Sequence, residues 1–260
     1  MNILIIEPYY TGSHKQWAEG YKKFSRHNIK ILSMEGRFWK WRMHGGAITM
    51  AKAFNNLNWK PNCILATDMI DLSTFISLTK DKCSKIPIYI YFHENQLSYP
   101  WSPNDRDLKN NRNEHYGFIN YTSALAADKI FFNSKFHMEI FTKSLKKFLK
   151  QFPDNHELDS IQLISQKSQP IYLGLDYSKS NNIKVKKFKV PLVLWNHRWE
   201  YDKNPEDFFL ALEKIKNEGL VFKLAILGEN FSSSPDIFNK AKNTFKNEIA
   251  HWGYIDNQRN

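Results

Sequence analysis

Residues 2–24 read NILIIEPYYTGSHKQWAEGYKKF and contain a run of isoleucine and leucine, a turn-like segment and a helical stretch. The apolar run from Asn2 to Glu7 predicts a buried strand, Pro8 to Ser13 predicts a loop, and His14 to Phe24 predicts a helix. A strand that is followed by a loop and a helix is the repeating unit of α/β folds with a parallel sheet.

The same alternation of apolar runs and helical segments continues along the chain. Further strands are predicted at Ile29–Leu32, Cys63–Thr67, Ile86–Phe92, Lys129–Phe132 and Gln169–Leu173. Helices are predicted at Ala47–Leu57, Leu72–Thr79, Tyr116–Ala127 and Lys135–Leu149. This rhythm predicts a complete Rossmann-like domain with a parallel sheet.

A polar, lysine-rich segment from Asp176 to Lys189 lacks periodicity and is the predicted linker. Beyond it, strands are predicted at Pro191–Trp195 and Phe222–Leu227, and helices at Pro205–Asn217 and Pro235–Lys246. We therefore predict a first domain over residues 1–182 and a second Rossmann-like domain over 183–260. Because doubly wound domains usually have five or six strands, the second is expected to be the truncated start of a domain.

The composition excludes some classes of protein and leaves others open. In 260 residues there are two cysteines, Cys63 and Cys83, which match neither a disulfide framework nor a zinc site, so a cytoplasmic setting is expected. No apolar stretch is long enough to span a membrane and no signal peptide is visible, so stable membrane insertion is not expected. The net charge of +11 favours polyanionic partners such as nucleic acid or nucleotide phosphates. Solubility or an AT-rich genome explains that charge equally well.

Gly12, Ser13, His14 and Lys15 lie between the first predicted strand and the first predicted helix. Backbone amides, the helix dipole and a basic side chain converge there on an anion or a sugar hydroxyl. The segment matches neither the dinucleotide-binding glycine pattern nor the P-loop, and a plain tight turn is the alternative.

His93, Glu94, Asn95 and Gln96 follow a predicted strand. Ligands of open α/β sheets sit at the carboxyl ends of strands, so these four polar side chains are expected to project into a cleft. A histidine beside a carboxylate can act as a hydrogen-bond partner, a base or an electrostatic stabiliser, although a structural loop histidine is the simpler explanation of an isolated pair.

Arg198 and Lys203 also follow a predicted strand and lead into a helix. A guanidinium and an ammonium together suit a diphosphate whose charge grows as it leaves. The alternative is a surface salt-bridge loop through Glu200 and Asp202. Gly228 and Glu229 also follow a predicted strand, but they are a weaker indication of a binding site.

Two further segments carry positive charge beside aromatic or apolar residues. Phe38 to Gly46 interleaves tryptophans with cations, including Trp41 and Arg42, as a platform for an unpaired base would, or as rings packed under the sheet edge would. Four lysines lie on one side of the helix at 135–149 and just past its end: Lys143, Lys146, Lys147 and Lys150. A solvated face is their usual meaning, and a track for an RNA backbone is compatible with it.

Taken in order, several motifs resemble the tRNA-queuosine alpha-mannosyltransferases, which are retaining family-4 glycosyltransferases of the GT-B architecture. The motifs are Gly12-Ser13-His14-Lys15, Tyr91-Phe92-His93-Glu94-Asn95-Gln96-Leu97, Phe132-Asn133-Ser134, His197-Arg198-Trp199-Glu200 with Asp202-Lys203, Leu227-Gly228-Glu229, Pro235-Asp236-Ile237-Phe238 and His251-Trp252-Gly253-Tyr254. The resemblance implies two Rossmann-like domains that face each other across a cleft, with the acceptor held mainly by the first and the nucleotide-sugar by the second.

The resemblance also assigns roles to residues. Arg198 and Lys203 are expected to clamp the donor diphosphate, and His93 to lie near the transferred sugar. Other donor contacts are expected from Gly12, Ser13, Gly228 and Glu229. Acceptor contacts are expected from His14, Lys15, Glu94, Asn95, Gln96, Trp41 and Arg42.

The resemblance implies a fold that binds its nucleotide-sugar donors without a metal ion, so no metal cofactor is expected. The family's Glu-x7-Glu motif, which contacts the donor sugar, would lie beyond Asn260. The chain alone is therefore expected to be an incomplete catalyst.

These features lead to one main hypothesis and two alternatives. The main hypothesis is retaining transfer of a hexose, mannose from GDP-mannose, to queuosine in tRNA. One alternative is a family-4 glycosyltransferase with a lipid-linked or surface-sugar acceptor. The other is a non-catalytic fragment that binds tRNA or a nucleotide.

Overall fold

The computed structural model describes residues 1–102, 105–110, 112–176, 189–229 and 234–255. The chain divides into two compact units, Met1–Asp176 (unit 1) and Tyr177–Asn260 (unit 2). The predicted domain boundary after residue 182 and the interior of the predicted linker lie outside the described residues.

Unit 1 contains a sheet of six strands. The strands are β1 (Asn2–Tyr10), β2 (Asn28–Glu35), β3 (Cys63–Thr67), β4 (Ile88–Phe92), β5 (Lys129–Phe132) and β6 (Ser168–Pro170). Their order is β2-β1-β3-β4-β5-β6, and every pairing is parallel. The predicted α/β fold with a parallel sheet is confirmed.

Seven helices accompany these strands among the described residues of unit 1. They are α1 (Gly12–Phe24), α2 (Trp39–Asn55), α3 (Leu72–Cys83), α4 (Arg106–Lys109), α5 (Glu114–Ala126), α6 (Lys135–Leu149) and α7 (Ser160–Gln166). The prediction for α6 matches the structure, whereas the start predicted for α2 at Ala47 is eight residues late.

Two glycines explain the late prediction for α2. Gly45 and Gly46 directly precede the predicted start and have low helix propensity, but both are buried within the helix. A Cβ at Gly45 would lie 2.7 Å from the Trp41 ring, and one at Gly46 would lie 3.4 Å from Pro8. The glycines therefore permit close packing, which outweighs their low helix propensity.

The run at residues 3–6 of strand β1 is continuously apolar because both faces of the strand are covered there. Leu4 and Ile6 pack into the main core, while Ile3 and Ile5 pack into a second apolar cluster on the opposite face. Helix α1 contributes Ala18 to the second cluster. Strands covered on both sides read as continuous apolar runs, which is why the first residues predicted the sheet.

Unit 2 contains a parallel sheet of three strands among its described residues, in the order β7-β8-β9. The elements are β7 (Leu192–Asn196), β8 (Lys223–Leu227), β9 (Ile249–Trp252), α8 (Pro205–Asn217) and α9 (Ile237–Thr244), with a single 3-10 turn at Tyr201–Lys203. Aromatic side chains form most of the core: Trp195, Trp199, Phe209, Phe222, Phe238 and Phe245.

The sheet order places a crevice in unit 1. Strand β1 lies between β2 and β3, so the strand order reverses beside it. Open α/β sheets bind ligands outside the carboxyl ends of the strands at such a point.

Among the described residues, no helix has the length and apolarity needed to cross a membrane.

Candidate active site

Glu7 and His14 form a buried pair at the carboxyl end of β1. Oε2 of Glu7 lies 3.0 Å from Nδ1 of His14, and Oε1 accepts a hydrogen bond of 2.8 Å from the backbone N–H of Tyr9. Gly12 has φ +49°, a left-handed conformation that glycine adopts without steric cost. That turn starts α1 immediately and directs His14 back over the end of the strand.

Asp68 and His93 follow the neighbouring strands β3 and β4. Oδ1 of the buried Asp68 accepts a hydrogen bond of 2.9 Å from the backbone N–H of His93. The amide of Asn133 donates a bond of 2.7 Å to the carbonyl of His93. The backbone of His93 is thus held from both sides by side chains of adjacent strand ends.

The ring of His93 lies within a cluster of aromatic rings. Its centroid is 4.2 Å from that of His14, 4.8 Å from Trp17 and 4.9 Å from Tyr91. Nε2 of His93 is buried and makes no hydrogen bond to any residue that the structure describes. A buried polar atom without a partner costs free energy, so this nitrogen is a candidate for contact with a substrate.

The two histidines have opposite pKa shifts. Burial lowers the pKa of His14, but the hydrogen bond to Glu7 and the charges of Glu7, Asp68 and Glu94 outweigh it and raise the pKa to about 9. For His93, burial and the nearby His14 and His137 hold the pKa well below its usual value. At neutral pH, His14 is therefore a cation paired with Glu7, and His93 is a neutral imidazole.

Burial raises the pKa of the Asp68 carboxyl group to about 7, although the charge of His14 opposes the shift. The site therefore contains an acid that titrates close to neutral pH next to a protonated imidazole. Perturbed pKa values of this kind cluster at functional sites.

Glu7, His14 and His93 also have the spacing of metal ligands. One ligand atom from each lies within 4.8 Å of the other two. A metal ion binds a deprotonated imidazole nitrogen, whereas Nδ1 of His14 lies in the hydrogen bond to Glu7 and its pKa is raised. The geometry admits a metal, but the electrostatics favour a proton.

The loop after His93 differs from the expectation that four polar side chains project into a cleft. Asn95 is buried, and its Oδ1 accepts hydrogen bonds from the backbone N–H groups of Leu97 and Ser98, so its carbonyl oxygen is used to form the turn. Gln96 is buried too, and its Nε2 donates a bond of 3.1 Å to Oε1 of Glu94. Asn95 therefore shapes the loop, and its contact with an acceptor stays a prediction.

The remaining predicted residues of the first loop are accessible. Gly12, Ser13 and Lys15 are exposed, and a Cβ added at Gly12 would meet no atom within 4 Å. No acidic residue lies in the first turn of α1. His14, by contrast, is buried, and its ring lies against that of His93.

The segment from Phe38 to Gly46 is not a loop, because α2 begins at Trp39. Trp41 is 63% exposed, as a platform requires. Arg42 is buried and its Nε donates a bond of 3.1 Å to the carbonyl of Glu35, so it has a structural role, and its contact with an acceptor stays a prediction. Trp39 packs against Tyr116, with centroids 5.1 Å apart.

In unit 2, Arg198 and Lys203 converge on one carboxylate. Nζ of Lys203 lies 2.7 Å from Oδ2 of Asp202, and Nη2 of Arg198 lies 3.9 Å from the same oxygen. Nη1 of Arg198 lies 3.3 Å from Oε1 of Glu200. The Asp202 side chain is only 3% exposed, whereas that of Arg198 is 45% exposed. The salt-bridge loop through Glu200 and Asp202, which the sequence offered as the alternative, is therefore present, and it holds both cations in one place.

Gly228 allows the loop of Arg198 to pack against the end of β8. Its φ is +101°, and a Cβ there would lie 1.9 Å from the carbonyl oxygen of His197. The backbone N–H of Trp199 donates to the carbonyl of Glu229, 3.1 Å away. Gly228 and Glu229 therefore support the segment that carries the two cations.

Four residues that build the His93 cluster were not among the predicted site residues: Glu7, Trp17, Asp68 and Asn133. Asp68 directly follows a buried strand, which is the same signal that selected His93 and would have identified it. Glu7 and Trp17 gave no such signal, since the first continues an apolar strand and the second lies on a helix.

The chain is similar to known proteins along its whole length. A family model described as "tRNA-queuosine alpha-mannosyltransferase N-terminal" matches residues 2–175. A Drosophila melanogaster protein named tRNA-queuosine alpha-mannosyltransferase is 30% identical over 269 residues, which span 99% of this chain and 69% of that protein.

The fold is similar to that of a solved GT-B glycosyltransferase. The apo form of the lipopolysaccharide outer core galactosyltransferase WaaB superposes with a TM-score of 0.55 at 12% identity, covering 100% of this chain and 70% of that one. At this identity the similarity shows the fold alone, and it confirms the predicted GT-B class.

Proposed function

The chain belongs to the tRNA-queuosine alpha-mannosyltransferases, a family of glycosyltransferases, and we propose that it transfers a hexose, mannose from GDP-mannose, to queuosine in tRNA. The observation that carries this proposal is the 30% identity over nearly the whole chain to a protein of that name. The buried cluster at the carboxyl ends of β1, β3 and β4 supports it, because substrates of such sheets bind there.

In unit 1, we assign His93 to the transferred sugar. Glycosyl transfer passes through a positively charged, oxocarbenium-like sugar. The imidazole of His93 is neutral at neutral pH, so it adds no positive charge beside that sugar, and its buried Nε2 is available for a hydrogen bond to a hydroxyl. Glu7, Asp68 and Asn133 are positioning residues, since they act through His14 and the His93 backbone.

In unit 2, we assign Arg198 and Lys203 to the donor diphosphate. The negative charge on the diphosphate grows as the bond to the sugar breaks, so fixed cations stabilise the transition state more than the bound donor. Asp202 holds both cations through its buried carboxylate, and Glu200 holds Arg198. This assignment of the two cations requires no metal ion.

The acceptor side combines exposed cations and rings. Lys15 and Trp41 are exposed in unit 1, and so are the four lysines at Lys143, Lys146, Lys147 and Lys150. Ammonium groups neutralise RNA phosphates, and an exposed tryptophan can stack on an unpaired base. The overall charge of +11 has the same sign as these local patches.

The proposal is tested by incubating the protein, expressed as the full gene encodes it, with GDP-mannose and tRNA that contains queuosine, and by analysing the digested nucleosides by mass spectrometry. We expect a queuosine nucleoside heavier by one hexose, and no product from tRNA that lacks queuosine. A product from UDP-galactose but not from GDP-mannose would correct the donor. Hexose transfer to a lipid-linked sugar, with none to tRNA, would overturn the acceptor.

The variant Arg198→Ala tests the diphosphate clamp in the same assay. We expect turnover to fall on the order of a hundredfold or more, because a cation that stabilises the leaving group is lost. The side chain is 45% exposed and lies outside the apolar core of unit 2, so the circular dichroism spectrum should not change. Lys242→Ala, which removes an exposed cation on α9 of the same unit, serves as the matched control and should keep full activity.

A further inference from the structure

A cavity of about 300 Å³ lies in unit 1, beside the loop that carries His93. It is formed by the loop after β4, the start of α5 and the end of α6. Side chains that line it include Gln96, Trp101, Asn113, Ser144, Lys147 and Gln151. None of these six takes part in the cluster of Glu7, His14, Asp68 and His93.

The lining has the chemistry of a site for one nucleotide. Trp101 is half-buried and offers aromatic surface on which a base can stack, while the buried Phe148 forms part of the wall. Gln96, Asn113 and Gln151 supply amides, which both donate and accept hydrogen bonds as base edges do. The cavity is too small for a double helix, so its ligand is an unpaired unit.

The charges around the cavity distinguish a nucleotide from a free anion. Lys147 lies in the lining and is exposed, where it can pair with a phosphate. Glu114 also lies in the lining and would repel a small anion, whereas it can accept a hydrogen bond from a base amino group. Lys143, Lys146 and Lys150 extend the positive charge along and just past α6, outside the lining.

Two contacts couple the cavity to the site of transfer. Gln96 lines the cavity and donates a hydrogen bond of 3.1 Å to Glu94, the neighbour of His93 in the chain. Gly117 keeps α5 close to the same loop, because a Cβ there would lie 2.8 Å from Cδ2 of Leu97. A ligand in the cavity is therefore in contact with the loop that places His93.

We propose that this cavity binds an unpaired nucleotide of the RNA acceptor, next to the one that receives the sugar. The inference rests on the proposed function, since it assumes an RNA acceptor. It adds a second contact for the RNA, which selects a single-stranded loop over a duplex.

The test compares binding of two fluorescein-labelled RNAs by anisotropy: a hairpin with an anticodon-type loop and a blunt duplex of the same stem sequence. We expect the unaltered protein to prefer the hairpin on the order of tenfold, as stacking of one base provides. Ser144→Tyr fills the cavity without a change of charge, and it should abolish the preference while duplex affinity stays the same. Lys143→Glu, on the same helix outside the lining, should weaken both RNAs by the same factor.

A second measurement does not depend on the folding of any variant. Hairpins with 4-thiouridine in the loop are irradiated on the unaltered protein, and the crosslinked peptides are sequenced. We expect crosslinks at Trp101 or within residues 144–151. Crosslinks confined to other segments, or a hairpin preference that survives Ser144→Tyr, would overturn the proposal. Failure of this proposal can be distinguished from failure of the proposed function. If only the cavity proposal fails, hexose transfer to tRNA persists, although the cavity does not select a single-stranded loop.

Discussion

The buried pair of Glu7 and His14 links protonation to stability in unit 1. The pKa of His14 in the folded chain, about 9, lies above its ordinary value of 6.5. Between these values the folded protein binds more protons than the unfolded chain does. The stabilisation is therefore complete below pH 6.5 and is lost as the pH rises through about 9.

We predict that the free energy of unfolding falls by about 3 kcal/mol between pH 6.5 and pH 9 because of His14, since one pKa unit corresponds to about 1.4 kcal/mol. The variant His14→Gln keeps a polar side chain but cannot titrate, and it should remove this dependence. Denaturant unfolding at a series of pH values measures the effect.

Asp68→Asn provides the control for that experiment. The pKa of Asp68 is raised from 3.8 to about 7, so its stabilisation is also lost as the pH rises, but in the lower window. The Asp68→Asn protein should lack the dependence below pH 7 and retain the one above it. A flat profile above pH 7 in the unaltered protein would contradict the assignment of the proton to His14.

At the level of elements, the contact between the end of β8 and the loop of Arg198 depends on the absence of a side chain. Gly228 combines a left-handed φ of +101° with a Cβ position 1.9 Å from the carbonyl of His197. Gly219, which follows α8, also has a left-handed φ, +76°, but open space around its Cβ position. Substituting alanine at each glycine therefore distinguishes the cost of backbone strain, which both share, from the cost of steric overlap, which only Gly228 has.

We predict that Gly219→Ala costs about 1 kcal/mol of unfolding free energy, and that Gly228→Ala costs about 2 kcal/mol more, because backbone atoms must move apart. Amide hydrogen exchange in β7 and β8 measures the loss locally. Equal exchange rates in the two variants would show that the loop of Arg198 can shift without cost. Activity of the Gly228→Ala protein should also fall, since the displaced loop carries Arg198.

The helix α2 shows how tertiary packing overrides a local pattern. Its start was predicted at Ala47, yet the helix already includes Gly46, where a Cβ would lie 3.4 Å from Pro8 of β1. Lys40 joins this helix to α4 through ion pairs of 2.6 Å with Asp105 and Asp107. These partners lie far apart in the chain, so no window of sequence contains the reason for the helix.

For the whole molecule, the net charge of +11 leads to a prediction about how the affinity for tRNA depends on the salt concentration. If the four lysines on α6 and at its end each neutralise one RNA phosphate, the affinity for tRNA should fall on the order of a hundredfold between about 50 and about 200 mM salt. Replacing Lys143, Lys146 and Lys150 by serine should remove most of this slope. Titration of labelled tRNA at several salt concentrations measures it, and an affinity that does not change with salt would exclude a phosphate-binding surface.

Local patterns in the sequence were sufficient for the class of fold, for most strands and helices, and for the strand-end position of His93 and Arg198. Hydrophobic periodicity and turn residues act over a few neighbouring residues, so they can be read directly. The family motifs added the expected donor and acceptor roles, because they preserve residue types at matching positions.

Only the folded chain could show that Glu7, His14, Asp68 and His93 meet in one buried cluster, that Asn95 and Arg42 are used internally, and that a cavity lies beside Gln96. Parallel pairing brings the carboxyl ends of β1, β3 and β4 together although the chain between them is long. Burial and distance then determine which side chains are charged and which are accessible, and neither quantity is a property of the residues taken in order.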